Sequence, residues 1–484
     1  MRRAIVGLLL AAMSVALAAQ NRVSVPPPPR PPRATLSMVV PLSHARYFGS
    51  AELWIQNRGS DPQPMTFLWT TDRQQRVEGP GVSLDPMEIQ FIDVASLLPE
   101  GVTLANVAGL ELKYQGRRAT EVTAWMMFHP QAGSPLSQSV EVPISLPEDV
   151  RGATLDTTWP APRGNERAIV AVLNTSPDPV VVHVTQRAGT ETIKLEGFGS
   201  RLIDRPAASP PGRGEWMRLE TPSRTPSPLR AAGFVRSVDD RIPHMLRFHD
   251  ATDALVDDVF ATGIHAANTS MMLSLANVSD IAQTATAVLT DTTGAVTMAS
   301  VSIPLAPKSV EMIDLGARVT HDGATALASL RIGGRGPKGS LLPSLHVVDR
   351  GTGLAHDPNF SDVLRGGGSA GWYVWRLDGT WDSAFTVANF GTAGSFTWSL
   401  RDRAESYSYG IQKLGSGATF TVDLRGHRAA ERPDGSPRKR VMPLDLMFGQ
   451  LHWSRGGPGS DLGLLGQLEL VNLKRRIVRV ISDQ

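Results

Sequence analysis

Cysteine is absent from all 484 residues. That excludes disulfides, thiolate metal sites, a cysteine nucleophile and a lipid anchor on an N-terminal cysteine. The chain must therefore be held by packed apolar cores. Net charge is nearly absent too, at +2 from 48 basic and 46 acidic side chains. Charge gives no reason to expect a nucleic-acid partner. Beyond residue 17 no apolar run is long enough to cross a bilayer as a helix, so no transmembrane segment is expected. His-Glu-x-x-His, Gly-x-Ser-x-Gly and EF-hand aspartate patterns are all missing. The expectation is a chain that is not an enzyme, with no catalytic residues, no cofactor and no metal. Sustained 3.6-residue apolar stripes are missing outside the N-terminus, which points to an all-β fold.

The N-terminus has three parts. Arg2 and Arg3 precede an apolar run over residues 4–17, and Ala16-Leu17-Ala18 offers small residues for cleavage. This is the pattern of a secretory signal peptide over 1–19, so the mature chain is expected to be exported to the periplasm, cell surface or exterior. The short signal and the missing cysteines suggest a bacterial source. Residues 20–34 contain Pro26-Pro27-Pro28-Pro29-Arg30-Pro31-Pro32-Arg33, which predicts a stiff, solvated polyproline-type spacer.

Beyond the spacer the chain repeats itself. Leu53-Trp54-Ile55-Gln56-Asn57, Val170-Ala171-Val172-Leu173-Asn174, Leu273-Ser274-Leu275-Ala276-Asn277 and Phe385-Thr386-Val387-Ala388-Asn389 are short apolar runs that each stop at asparagine. The period is a little over a hundred residues. Turn chemistry comes directly after each one, as in Asn57-Arg58-Gly59-Ser60-Asp61-Pro62, because Asn tolerates the left-handed region and Pro cannot continue a central strand. Further strands are predicted at 65–69, 180–184, 285–289 and 396–400. Some thirty-odd residues after each asparagine comes an aspartate: Asp93, Asp204, Asp314 and Asp423. With no fixed histidine or second carboxylate beside them, these read as turn aspartates that bond nearby backbone N–H groups. Gly-rich loops near 333–339 and 455–459 join two strands with no helix behind, so they are hairpin loops and not phosphate cradles.

About seven short strands per unit, with turns every 8–12 residues or so, is the signature of an antiparallel sandwich. The unit resembles the immunoglobulin-like or fibronectin-III-like sandwiches of exported bacterial proteins. More narrowly, the strand-Asn-turn pattern with Ile-Asp-Leu after it is similar to tandem repeats in exported proteins of soil bacteria such as acidobacteria. It is clearest over residues 272–315. The resemblance implies a tandem array of four sandwich domains over 35–132, 133–237, 238–350 and 351–484, and it carries no catalytic residue. The second unit is expected to be degenerate, because residues 206–228 are rich in Pro, Ser and Arg.

Two features invite a functional reading. Asp239, Asp240, His244, His249, Asp250, Asp253, Asp257 and Asp258 lie between units two and three. Carboxylates there could bind Ca²⁺, but histidine is a poor Ca²⁺ ligand and a solvated linker is the expected reading. Aromatics concentrate in the last unit. In Trp372-Tyr373-Val374-Trp375, period two places Tyr373 and Trp375 on one face, and Tyr407 and Tyr409 likewise share a face. If exposed, Tyr373, Trp375, Tyr407 and Tyr409 would form one ligand-binding patch. If not, they are core. The function expected is a non-catalytic exported structural or adhesive repeat protein, with the cell envelope or an extracellular polymer as partner. The alternative is a carbohydrate-binding or carbohydrate-processing protein with its aromatic site in the last unit.

Overall fold

The computed structural model describes residues 32–482 apart from 132–135, 137, 147–149, 151, 223–225, 237–242, 251–257, 320–326, 335, 338–339, 362–369, 404, 428–441, 443–444, 457–462, 473 and 475–476. The signal peptide, most of the Pro-rich spacer, Asp239, Asp240, Asp253 and Asp257 lie outside the described residues.

The fold is almost all β. Its described strands form eight antiparallel sheets, and the sheets come in four pairs. The third pair shows the pattern. One sheet holds Asp258–His265, Leu327–Gly334, Gln283–Asp291 and Thr297–Leu305 in that order. Its mate holds Ser309–Asp314, Thr269–Asn277, Leu341–Asp349 and Ala355–His356. Numbered along the repeat, the orders are 1-6-3-4 and 5-2-7-8. The same two orders recur in the other three repeats, with His249–Asp250 added beside the first strand of the second repeat and the fourth strand of the first repeat split into Arg76–Glu78 and Val82–Leu84. Inner faces of both sheets contribute to one core. In the third repeat Leu273 and Leu275 meet Ala285, Leu289, Leu330 and Val347. Alternation along Gln283–Asp291, buried and exposed in turn at 283–287, is what a strand with one face on a core requires.

This strand order departs from the immunoglobulin one. There the last strand joins the sheet of the third and sixth strands. Here the seventh strand pairs with the second, and the first strand pairs with the sixth. The first three repeats also carry a short edge strand after the seventh. Val140–Pro143, His244–Leu246 and Ala355–His356 pair back onto the strand before them. They lie beyond the limits at 132, 237 and 350 that the sequence suggests. Segments of two to four residues carry no periodic signal, so the sequence does not reveal them. The second repeat has the full strand set. Arg213–Glu220 runs through the Pro-rich stretch with its pairing intact.

The asparagines occupy one equivalent place. Each is the last residue of the second strand and at most 1% exposed. Asn277 Nδ2 donates to the carbonyls of Ile281 (2.8 Å) and Ala306 (2.9 Å), and its Oδ1 accepts from the Ser279 N–H (3.0 Å). Asn57, Asn174 and Asn389 repeat this set with Asp61 and Asp85, Asp178 and Glu196, and Thr392 and Gly415. One amide thus ties the turn after its strand to the loop entering the fifth strand. Backbone carbonyls half-buried there take their donors from the amide, which supplies two. Three of the aspartates also act locally. Asp93, Asp314 and Asp423 accept from the backbone N–H of Ala95, Ala317 and Arg425. Asp204 instead pairs with Arg167 (2.9 Å).

The repeats pack on one another. Phe234 of the second enters the core of the first, and Trp216 of the second meets Ala276 and Leu342 of the third. Phe260 of the third packs on Phe390 and Leu465 of the fourth. Near that contact a Cβ at Gly294 would lie 2.3 Å from the Gly417 backbone, so the two turns touch only because both are glycine. The fourth repeat returns to the first. Arg376 reaches Glu52 (3.2 Å) and lies over the rings of Trp54, Phe91 and Trp381. Trp54, Ile89, Trp125 and Met127 of the first repeat share a buried cluster with the fourth.

One buried group at the first of these joints makes the fold acid-sensitive. His44 sits among Phe48, Phe128 and Phe234, fully buried, and neither ring nitrogen has a hydrogen-bond partner among the described residues. Burial pushes its imidazole down to about 3. The unfolded chain takes up this proton near the ordinary pKa of about 6.5, while the folded chain resists it. Stability from the neutral ring is therefore complete above about pH 6.5 and is lost as pH falls toward 3. The loss is about 1.4 kcal/mol per pH unit, or about 3 kcal/mol by pH 4. His44→Leu is expected to remove that part of the slope. Denaturation midpoints at pH 7 and pH 4 measure it. Equal slopes in the two proteins would show that His44 is not buried neutral.

Candidate metal centre

Histidine gathers at the joint between the second and third repeats. His244 lies on the short edge strand His244–Leu246, and His346 on Leu341–Asp349. Asp357 directly follows the edge strand Ala355–His356. Both edge strands exist because the seventh strand of their repeat has a free side to pair with, and the packing of the repeats brings them together.

The three side chains converge on one point. His244 Nδ1 is 2.7 Å from Asp357 Oδ1, His346 Nδ1 is 2.8 Å from the same oxygen, and the two Nδ1 atoms are 3.1 Å apart. The rings stand at 90°. A second layer holds them. His244 Nε2 is 2.9 Å from Ser344 Oγ, the Met245 N–H donates to Asp357 Oδ2 (2.7 Å), and Arg247 donates to the Asp357 carbonyl (3.2 Å). Gln138 of the first repeat exchanges hydrogen bonds with the backbone of Ala355, which fixes the edge strand from the far side. Burial pushes the His244 imidazole below its ordinary value. Burial alone would raise the Asp357 carboxyl, but the two imidazoles hold it well below the usual carboxylate range. The point of convergence is an anionic carboxylate faced by two ring nitrogens.

A second pair lies nearby. His265 Nε2 bonds Glu469 (2.8 Å) across the joint of the third and fourth repeats, with the His356 ring 5.8 Å from that of His265. The hydrogen bond to Glu469 raises the His265 pKa.

Of the residues singled out in the segment 239–258, His244 alone joins this cluster among those described. Asp250 is buried and accepts from the Gly152 N–H (2.7 Å). His249 is half-buried, and desolvation pushes it down to about 4. Asp258 pairs with Arg331 (2.8 Å). No carboxylate-rich Ca²⁺ site forms from these described residues. His346 and Asp357 carry no sequence signal that links them to His244, being 102 and 113 residues away.

The aromatic patch expected on the last repeat is corrected. Tyr373 (2% exposed), Trp375 (0%) and Tyr407 (5%) lie in the core. Tyr409 is half-buried and stacks on Trp398 at 4.1 Å. Period two does set the faces, but the shared face of each pair turns inward. The outer face of Ala370–Arg376 is covered as well. Trp372 lies against His452 and under Arg58 of the first repeat. A strand packed on both sides leaves no exposed row.

No family model matches the chain, and no curated protein matches it. Among solved structures it is similar to a glycoside hydrolase family 32 protein from Bifidobacterium adolescentis, at 8% identity over 89% of this chain and 99% of that one, with a TM-score of 0.17. A score that low is not a shared fold.

Proposed function

We propose that this chain is a non-catalytic, exported structural or adhesive protein whose mature part is four sandwich units, immunoglobulin-like in architecture though not in strand order. The observation that carries the reading is how the repeated polar residues are used. The four asparagines and three of the four aspartates bond their own repeat's backbone, so what recurs is architecture and not chemistry. Two clefts support it. One of about 530 Å³ is lined by Glu311, Asp314 and Arg318, and one of about 520 Å³ by Asp258 and Arg331. Neither has an aromatic wall. Their carboxylates already have partners, Glu311 in Arg213 (2.7 Å), Asp314 in the Ala317 N–H (3.0 Å) and Asp258 in Arg331 (2.8 Å). A partner in the cell envelope or an extracellular polymer would meet the outer sheet faces, where several weak contacts add up if geometry lets them form together.

A binding assay against envelope fractions and a glycan array tests this. Retention on an envelope or polymer fraction, with no release of fragments and no effect of Tyr409→Ala, is the expected result. Release of sugar, or glycan binding abolished by Tyr409→Ala, would overturn it in favour of a carbohydrate-processing or carbohydrate-binding protein.

A further inference from the structure

We propose that His244, His346 and Asp357 bind one divalent first-row transition ion of the Zn²⁺ class, and that this ion staples the second repeat to the third. The first argument is the donor set. Two imidazole nitrogens and one carboxylate oxygen suit Zn²⁺, Co²⁺, Ni²⁺ or Fe²⁺, whereas Ca²⁺ and Mg²⁺ prefer oxygen alone.

The second argument is spacing. The three atoms form a triangle with edges of 2.7, 2.8 and 3.1 Å. At metal–ligand distances of about 2.05 Å, neighbours on an octahedral face lie about 2.9 Å apart and neighbours in a tetrahedron about 3.3 Å. The triangle matches the octahedral face, the arrangement in which two histidines and one carboxylate leave the opposite positions open.

The third argument is that protons alone leave the triangle unmatched. If both Nδ1 atoms carry hydrogen, two N–H groups crowd each other at 3.1 Å. If one is bare, its lone pair lies 2.7 or 2.8 Å from the anionic carboxylate oxygen with no hydrogen between them. A cation above the triangle satisfies all three lone pairs at once. The supporting layer fits that state. An Nε2–H of His244 directed at Ser344 Oγ leaves the Nδ1 lone pair for the metal, as outer partners of metal-bound histidine commonly do. Asp357 Oδ2 is tied to the Met245 N–H, which aims Oδ1 inward. Arg247 is the nearby fixed positive charge, and Glu141 offsets it. The side chains of His346 and Asp357 remain 15% and 10% exposed.

The test uses the mature chain, stripped with EDTA and titrated with Zn²⁺ by calorimetry and with Co²⁺ by visible absorption. One equivalent of metal per chain and a rise in Tm with Zn²⁺ are expected. Asp357→Asn keeps the shape of the side chain and His346→Gln keeps a polar group; each is expected to weaken binding at least a hundredfold and to abolish the Tm rise. His183→Ala, at a surface histidine bonded to Thr192, is expected to bind as the parent does. Should a variant fail to fold, as read by its near-ultraviolet circular dichroism, the parent chain decides the matter through the Co²⁺ band, whose energy and intensity report nitrogen and oxygen ligands in a site of more than four. No saturable binding by the parent, or equal binding by parent and folded variants, would overturn the proposal.

Discussion

Asn277→Ala is expected to destabilise the chain by about 2–4 kcal/mol, since each buried group left unpaired costs about 1–3 kcal/mol and the Ile281 and Ala306 carbonyls are only part-buried. The alanine cannot donate to the Ile281, Leu305 and Ala306 carbonyls, and it cannot accept from Ser279 or Gln283. Asn277→Asp is expected to be no better, although it is the closest in shape. It offers oxygen where the carbonyls need N–H, and sets a charge against them in a buried site. The same substitutions at Asn57, Asn174 and Asn389 should give losses of the same order, because they share the two carbonyl bonds and the backbone N–H bond. Urea denaturation of the single variants is the measurement. A loss below about 1 kcal/mol at Asn277 would mean that water replaces the amide without cost.

Trp375→Ala comes next, with an expected loss of about 3–5 kcal/mol. The ring is fully buried and lies over Gly449, its cross-strand partner, where a Cβ would sit 2.9 Å from Trp375 Cζ2. That glycine is the space the indole fills, so truncation leaves a cavity that the neighbours cannot close without moving backbone. A stacking residue on the surface would cost little stability. A fall in Tm of only a degree or two would return the ring to the surface and revive the aromatic patch.

The strand-asparagine runs are legible in sequence because two constraints coincide there. A central strand must be apolar, and the turn that ends it must offer a side chain able to bond its own backbone. The long strands are legible for the same reason, and structure extends most of them by one to three residues at each end. Other parts have no local cause. The edge strand His244–Leu246 exists only because its neighbour has an open side. The metal triangle needs three residues that come together only when two repeats dock. The aromatics mislead because alternation identifies which residues share a face, and not which face meets the core. On Ala370–Arg376 both faces are covered, one by the core and one by Arg58. The pairing of Arg376 with Glu52 spans 324 residues, beyond any sequence window.

That last contact limits how such a gene can change. Open arrays of repeats tolerate gain and loss of whole units, because each unit touches only its neighbours. Here the fourth repeat also touches the first, through Arg376 and Glu52 and the buried cluster around Trp54. Unequal recombination that added a fifth unit would carry Arg376 away from Glu52 and leave Trp54 facing water. One that removed the third would take His346, Asp357 and Gly294 with it. Copy number in this protein is thus set by geometry, and drift in length should be confined to the loops.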